Sequence, residues 1–246
     1  MKIIKAYWEK RNLGFETAEI IFDADDTVEE LHASKVLIDY DLIVAKVYRS
    51  NIALIHDLES LGFRFMEMQI TLSFMMQQFE KLQKTFENII DKATFHKVQS
   101  ESELQNVITQ LQQGMFDTDR IALDPCLGKD KSSLRYVNWV KDCFCSERYS
   151  LYEVLIENNR VGFSLLDLSE PIRAHGLLGG VYNQYKNYGY FPSILYKTLR
   201  ICHEKKYRFF NTSISTNNIA VFRIYNAFNF NISDISYVLR KINITK

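Results

Sequence analysis

Two stretches of this sequence place chemically useful groups at spacings that local structure can exploit. In the first, the apolar run Gly176-Leu177-Leu178-Gly179-Gly180-Val181 has the character of a buried strand. The polar turn Tyr182 to Gly189 follows, and a helix begins around Tyr190-Phe191-Pro192. A strand, a turn and a helix N-terminus in this order aim backbone N–H groups and the positive end of the helix dipole at one spot, which suits an anion such as a pyrophosphate. Gly189 has no Cβ and lets a ligand approach the backbone. Pro192 falls in the first helical turn, where its missing N–H costs nothing. In the second stretch, Asn218 and Tyr225 stand seven residues apart, two turns along one helix face.

The elements that must hold these groups follow from periodicity. In the N-terminal part, Glu19 to Phe22 and Asp41 to Val47 read as strands. Thr27 to Leu37 reads as a helix with a Thr27/Glu30 capping box. Asn51 to Leu61 is a helix stopped by Gly62, and Phe63 to Phe74 is an alternating strand with Phe65, Glu67, Gln69 and Thr71 on one face. Residues 77–92 form a helical linker. Beyond it come a short strand (Phe95 to Val98), helices over Ser100 to Gly114 and Ser132 to Phe144, and a hairpin of Tyr149 to Glu157 with Arg160 to Leu168 turning at Asn158-Asn159. Ala174 to Val181 is a strand, Phe191 to Lys205 a helix, Phe209 to Ile214 a strand, Asn218 to Phe228 a helix and Ile232 to Arg240 a final strand. This is a mixed α/β (α+β) pattern. One internal echo stands out. Asn51 precedes Gly62-Phe63 by the same spacing at which Asn218 precedes Asn229-Phe230, so 1–76 reads as a partial copy of 93–246; the alternative is a chance similarity of two amphipathic helices.

Composition narrows the classes. Across 246 residues, Lys+Arg and Asp+Glu are both 30, so the chain has no built-in attraction for nucleic acid or an anionic membrane. No stretch approaches the roughly 20 apolar residues of a membrane span, and the first residues lack a secretory signal's apolar run. The four cysteines, Cys126, Cys143, Cys145 and Cys202, match neither a zinc pattern nor a disulfide framework. No metal and a cytoplasmic location are the expectations.

The motif segment resembles motif A of the GNAT acetyltransferases, Arg/Gln-x-x-Gly-x-Gly/Ala placed five residues after a strand-end Val. Here Val181 is followed at that distance by Lys186-Asn187-Tyr188-Gly189-Tyr190-Phe191, with Lys at the first position and Phe at the last. The later segment resembles the family's Asn-x-x-Ala-x-x-x-Tyr-x-x-x-Gly-Phe block, with Val221 for the small residue and Asn229 for Gly. The whole chain is also similar to the dTDP-4-amino-4,6-dideoxygalactose (dTDP-fucosamine) acetyltransferase family at Trp8-Glu9, Gly14, Ser50-Asn51, Leu61-Gly62-Phe63, Asp119-Arg120 and Gly176-Leu177-Leu178.

The resemblance implies a GNAT fold with a central, mostly antiparallel mixed sheet, preceded by a smaller GNAT-like domain at 1–76. It implies an N-acetyltransferase that uses acetyl-CoA and acts on a small-molecule amine, a nucleotide-linked deoxyaminosugar for surface polysaccharide. It implies Tyr225 as the general acid for the leaving thiolate, backbone N–H groups around Gly179 to Val181 for the carbonyl, and Lys186 to Phe191 with Asn218 on the cofactor. Candidate acceptor residues are His175 and Glu153 as base or relay, Arg120 on a phosphate and Trp139 stacked on a base or sugar. Each has a plainer alternative: a satisfied histidine, a surface ion pair for Arg120, a core tryptophan, a packed tyrosine at 225. Another amine, or a non-catalytic acyl-CoA-binding module, are the rival readings. The Phe63–Phe74 strand and the final strand are candidate surfaces for a homodimer.

Overall fold

The computed structural model describes residues 1–243, the side chains of residues 87–90 excepted. In chain order its strands are β1 (Lys2–Lys5), β2 (Thr17–Phe22), β3 (Leu42–Tyr48), β4 (Arg64–Met75), β5 (Thr94–Lys97), β6 (Tyr149–Ile156), β7 (Asn159–Asp167), β8 (Arg173–Val181), β9 (Phe209–Ser215) and β10 (Asn231–Ile242). The helices are α1 (Glu9–Leu13), α2 (Val28–Ala33), α3 (Val36–Asp39), α4 (Ile52–Ser60), α5 (Phe79–Ile90), α6 (Glu101–Gln112), α7 (Arg120–Leu123), α8 (Lys129–Phe144), α9 (Phe191–Glu204) and α10 (Ile219–Ala227). Among the described residues no helix is long and apolar enough to cross a membrane.

The strands form one sheet in the order β1-β2-β3-β10-β4-β9-β8-β7-β6-β5. The order contains a repeat. β1 and β2 pair antiparallel, β2 and β3 parallel; β7 and β8 pair antiparallel, β8 and β9 parallel. Each triplet is followed by a nine-residue helix and a twelve-residue strand: α4 and β4 in one copy, α10 and β10 in the other. The last strands are exchanged. β4 pairs with β9 of the other copy, β10 with β3, and the two cross the centre of the sheet side by side. The sheet is therefore continuous across residues 77–92, where α5 packs on α9.

The echo in the sequence becomes an echo in geometry. Asn51 and Asn218 cap α4 and α10 with nearly the same backbone angles, and each side chain accepts from an amide three residues on at 3.2 Å. Each helix ends in a left-handed residue, Gly62 at φ 89° and Asn229 at φ 58°. The amides of Phe63 and Phe230 then bond back to Leu58 and Tyr225, closing a Schellman motif. Phe63 and Phe230 are both buried, each contributing on the order of 2 kcal/mol by leaving water.

The alternation of β4 also holds. Ile70, Leu72 and Phe74 enter the core against α9 and α10, with the Phe74 and Phe230 rings 5.2 Å apart. Glu67, Gln69 and Thr71 face the opposite side.

Several local expectations are corrected. The helix expected over 27–37 breaks at Ser34, whose hydroxyl donates to the Leu31 carbonyl at 2.7 Å. Thr27 makes no capping bond; its side chain is hydrogen-bonded to the Glu29 carboxylate, and the Glu30 carboxylate faces the Met1 ammonium. A capping box forms at Ser100 and Glu103. The hairpin turns at Glu157-Asn158, one residue early, with positive φ at both. Helix α8 starts at Lys129, and α7 went unpredicted. β4 and β10, taken as dimer surfaces, lie inside the sheet with both edges paired; β1 and β5 are its edges.

Candidate active site

β8 carries two departures from regular pairing. Opposite β7, Leu165 faces Leu178 while Leu166 faces Gly176, so Leu177 is an extra residue, a β-bulge. On its other side β8 pairs with β9 only from Arg173 to Gly176, and beyond the Gly176–Thr212 pair the two parallel strands diverge. The gap is a groove of about 170 Å³ between the strands, with α9 and α10 along it. In the other copy β2 and β3 pair along the whole of Thr17–Phe22, and no such gap opens.

The groove depends on two glycines. A Cβ on Gly176 would lie 2.6 Å from the Phe210 ring, and one on Gly179 would lie 3.0 Å from the Phe163 carbonyl oxygen. Gly176, Leu177, Leu178 and Gly179 line it. Val181 does not, so the candidate donors for a carbonyl move back along the strand, from 179–181 to the bulge at 177–179.

At its end β8 enters the motif turn. Asn187 and Gly189 have φ of 73° and 74°. The cap Tyr190 offers no side-chain bond to α9. Among the described residues, no internal hydrogen bond uses the amides of Gly189, Tyr190, Phe191 or Ser193, which leaves the start of a 14-residue helix open to an anion. Lys186 lies on this turn, 3.8 Å from Asp117. Tyr185, Tyr188 and Tyr190 form a ring cluster with centroids 5.6 to 6.0 Å apart. Phe191 turns inward and meets Tyr225 edge to face at 6.1 Å.

Tyr225 lines the groove with only 7% of its surface exposed. Burial pushes its phenol up to about 12, against a partly offsetting hydrogen bond with Thr212. The Thr212 hydroxyl donates to the Gly176 carbonyl at 3.0 Å, tying phenol and bulge together. Asn218 also lines the groove, but its side-chain oxygen is engaged in capping α10, as Asn51 is on α4.

The groove opens into a cleft of about 1140 Å³ between the two copies and α8, sharing Asp119, Tyr136 and residues 176–178 with it. Arg120, Trp139 and His175 all line this cleft. His175 is hydrogen-bonded to Glu170 at 3.0 Å. Trp139 stacks near Tyr136, with the Arg135 guanidinium 5.9 Å from its ring. Arg120 is neither a surface ion pair nor an open phosphate clamp: it is largely buried and contacts Glu19 and Glu67 at 3.4 Å each. Every lysine and arginine of the cleft wall has an acidic partner, including Lys46 with Glu19 at 3.1 Å and Arg135 with Glu9 at 2.6 Å. Burial raises the Glu19 carboxyl, and Lys46 and Arg120 together outweigh it, so it lies below its ordinary value. Glu153 lines neither space. It is buried between Arg160 and Tyr182, and burial raises its carboxyl despite them.

Sequence reasoning passed over Thr212, Tyr136 and the polar face of β4. Glu67, Gln69 and Thr71 were legible as one strand face, but only the strand exchange turns that face toward β9 and the cleft.

No protein-family profile and no curated protein matches this sequence. Solved structures do. A functionally unknown conserved protein from Staphylococcus epidermidis superposes with a TM-score of 0.64 at 12% identity, over 96% of this chain and 89% of that one. A GCN5-related N-acetyltransferase from Kribbella flavida gives 0.56 at 11%, over 92% and 80%. A tandem GNAT protein from the clavulanic acid biosynthesis pathway gives 0.55 at 10%, over 82% of this chain and 64% of that longer one. The chain thus has the GNAT acetyltransferase fold. The narrower resemblance to amino-sugar acetyltransferases draws no support from these structures.

Proposed function

We propose that this protein is an acetyl-CoA-dependent N-acetyltransferase. The observation that carries the reading is the divergence of β8 from β9 beyond Gly176–Thr212, which puts a bulged strand, Phe191 at the start of α9 and the Tyr225 phenol around one groove. The fit is chemical as well as spatial. Unused amides and Lys186 suit a pyrophosphate, and the narrow groove with its two glycines suits a slender pantetheine arm. Acetyl-CoA supplies a thioester whose carbonyl carbon is open to attack.

The chain's own residues then have separate tasks. Amides at 177–179 would donate to the carbonyl oxygen as negative charge develops there. The Tyr225 hydroxyl, held protonated by burial, would donate toward the departing sulfur. His175, on the cleft side of β8, would take the proton of the incoming amine directly or through water. The acceptor is a small-molecule amine in the cleft. Within that class we favour a nucleotide-linked deoxyaminosugar such as a dTDP-4-amino-4,6-dideoxyhexose, because the cleft is large and walled by Trp8, Tyr136 and Trp139 and those rings suit a base or sugar face. A cytoplasmic setting fits four free thiols.

The test is thiol release from acetyl-CoA with a panel of amines, including dTDP- and UDP-linked 4-amino sugars. Release dependent on one nucleotide amino sugar supports the whole reading. Release with polyamines or peptides alone keeps the transferase and overturns the acceptor. CoA binding without release on any amine identifies a non-catalytic acyl-CoA-binding module.

A further inference from the structure

The cleft floor contains a cluster that the transferase chemistry does not use. Glu19 on β2, Lys46 on β3, Glu67 on β4 and Arg120 on α7 form one chain of ion pairs. Three of the four come from the first copy, which has no groove of its own. Two acids and two bases leave the cluster neutral. Its pairing is incomplete, however. Glu67 is 4% exposed and its Oε2 has no hydrogen-bond partner; neither has the Nε of Arg120, and both Arg120 contacts are long at 3.4 Å. A buried charged oxygen without a donor is costly to keep, so an acceptor and a donor stand adjacent, wanting complementary groups.

From this we infer that Glu67 and Arg120 recognise the acceptor, and that the group they hold is a pair of neighbouring hydroxyls on a sugar-like ring. The inference rests on the transferase reading and narrows its substrate. A neutral cluster gains nothing from an anion or a second ammonium, either of which leaves an uncompensated charge. A hydroxyl both donates and accepts. One O–H can donate to Glu67 Oε2, a charge-assisted bond, while its neighbour accepts from Arg120 Nε. Both residues line the cleft and both atoms are themselves buried, so the hydroxyls would engage them as the two side chains turn toward the cleft on binding. Trp8, Tyr136 and Trp139 line the same space and offer flat faces for the apolar side of the ring. The first copy thereby supplies acceptor recognition and the second supplies the donor site, joined by the exchanged strand β4.

The experiment compares glucosamine, with ring hydroxyls beside its amine, against cyclohexylamine and putrescine. Binding to the CoA-loaded protein is measured by calorimetry, and thiol release from acetyl-CoA is followed in parallel. The expected result is at least tenfold tighter binding of glucosamine than of either other amine, with that preference lost in Glu67→Gln. A lost hydrogen bond to a charged group corresponds to roughly 10- to 100-fold in affinity. CoA affinity, unchanged in the variant, verifies its fold; should Glu67→Gln not fold, Arg120→Lys, which removes Nε and keeps the charge, gives the same reading. Equal binding of the three amines, preferred binding of putrescine, or full preference in the variants overturns the inference. Absence of thiol release both here and with the nucleotide-linked amino sugars overturns the transferase reading instead, and the calorimetric preference still decides the hydroxyl site.

Discussion

Leu58 and Tyr225 occupy the same place in two copies of one helix-and-strand unit. Each stands seven residues after its capping asparagine, and each gives its carbonyl to the amide of a buried phenylalanine five residues on. Leu58 is sealed in the core of the first copy, whereas Tyr225 reaches the groove of the second. The scaffold is shared; the phenol is not, and neither is the gap between the parallel strands.

The first prediction follows from that difference. Tyr225→Phe keeps ring packing against Phe191 and Phe230 and removes only the hydroxyl. Acetyl-CoA affinity should stay within about twofold, while kcat falls by about 100-fold or more, the scale of general acid catalysis. Steady-state kinetics with calorimetry checks this, and an unchanged kcat would remove Tyr225 as the proton donor.

A second experiment uses the duplicated caps as internal controls. Asn51→Ala and Asn218→Ala each remove one bond to a helix amide, about 1 kcal/mol each, and Asn51→Ala should cost more because the Asn51 Nδ2 also donates to the Asp23 and Asp26 carbonyls. Only Asn218→Ala, beside the groove, should also raise the KM for acetyl-CoA. Denaturant melts paired with kinetics measure both. Equal kinetic effects at the two sites would show that capping alone explains Asn218.

The glycines should separate into two kinds. Gly176→Ala drives a methyl into the Phe210 ring, and overpacking of this sort costs about 1–3 kcal/mol. A Cβ at Gly189 meets no atom within 4 Å, but Gly189→Val must adopt φ 74°, which strains a β-branched residue. The expectation is a lower melting temperature for the first. The second should lose at least tenfold in CoA affinity, because the turn itself must shift; wild-type affinity there would sink the anion-site assignment.

Acid stability should depend on Asp124. Its carboxylate accepts two bonds from Arg240, at 2.7 and 2.9 Å, fastening the α7–α8 connection to β10. Burial raises this carboxyl, and the Arg240 bonds and charge together with the Cys126 and Leu127 amides outweigh it, so it lies below its ordinary value. A lowered folded-state pKa gives stability that is fully present above the unfolded value, near 3.9, and lost as pH falls through the folded one. Asp124→Asn should cost about 3 kcal/mol at pH 7 and flatten the decline in stability below about pH 4. Urea melts across that range test it; parallel curves for the two proteins would contradict it.

Much of this was written in local pattern. Asn51 and Asn218, with Gly62 and Asn229, marked two equivalent helices because caps and left-handed stops are set within a few residues. The motif turn was legible from Gly189 and Pro192. What escaped was decided at long range. Nothing near Glu67 or Arg120 announces that they meet, since a strand exchange brings them together. Glu153 looked like a base on a hairpin, but Arg160 lies across the same hairpin and Tyr182 ends the next strand. The bulge at Leu177 depends on register against β7, which the composition of β8 does not specify.

The exchange of β4 and β10 has a consequence for how the chain is made. β3 appears early in synthesis, yet its central neighbour β10 is the latest of the described strands. Until β10 emerges, β3 and β4 each wait with an open edge in the middle of the future sheet. Contacts so distant along the chain form slowly. During that interval, a β10 from another molecule fits the vacancy as well as the chain's own, so crowded synthesis or refolding at high concentration should yield interlocked dimers with two complete sheets.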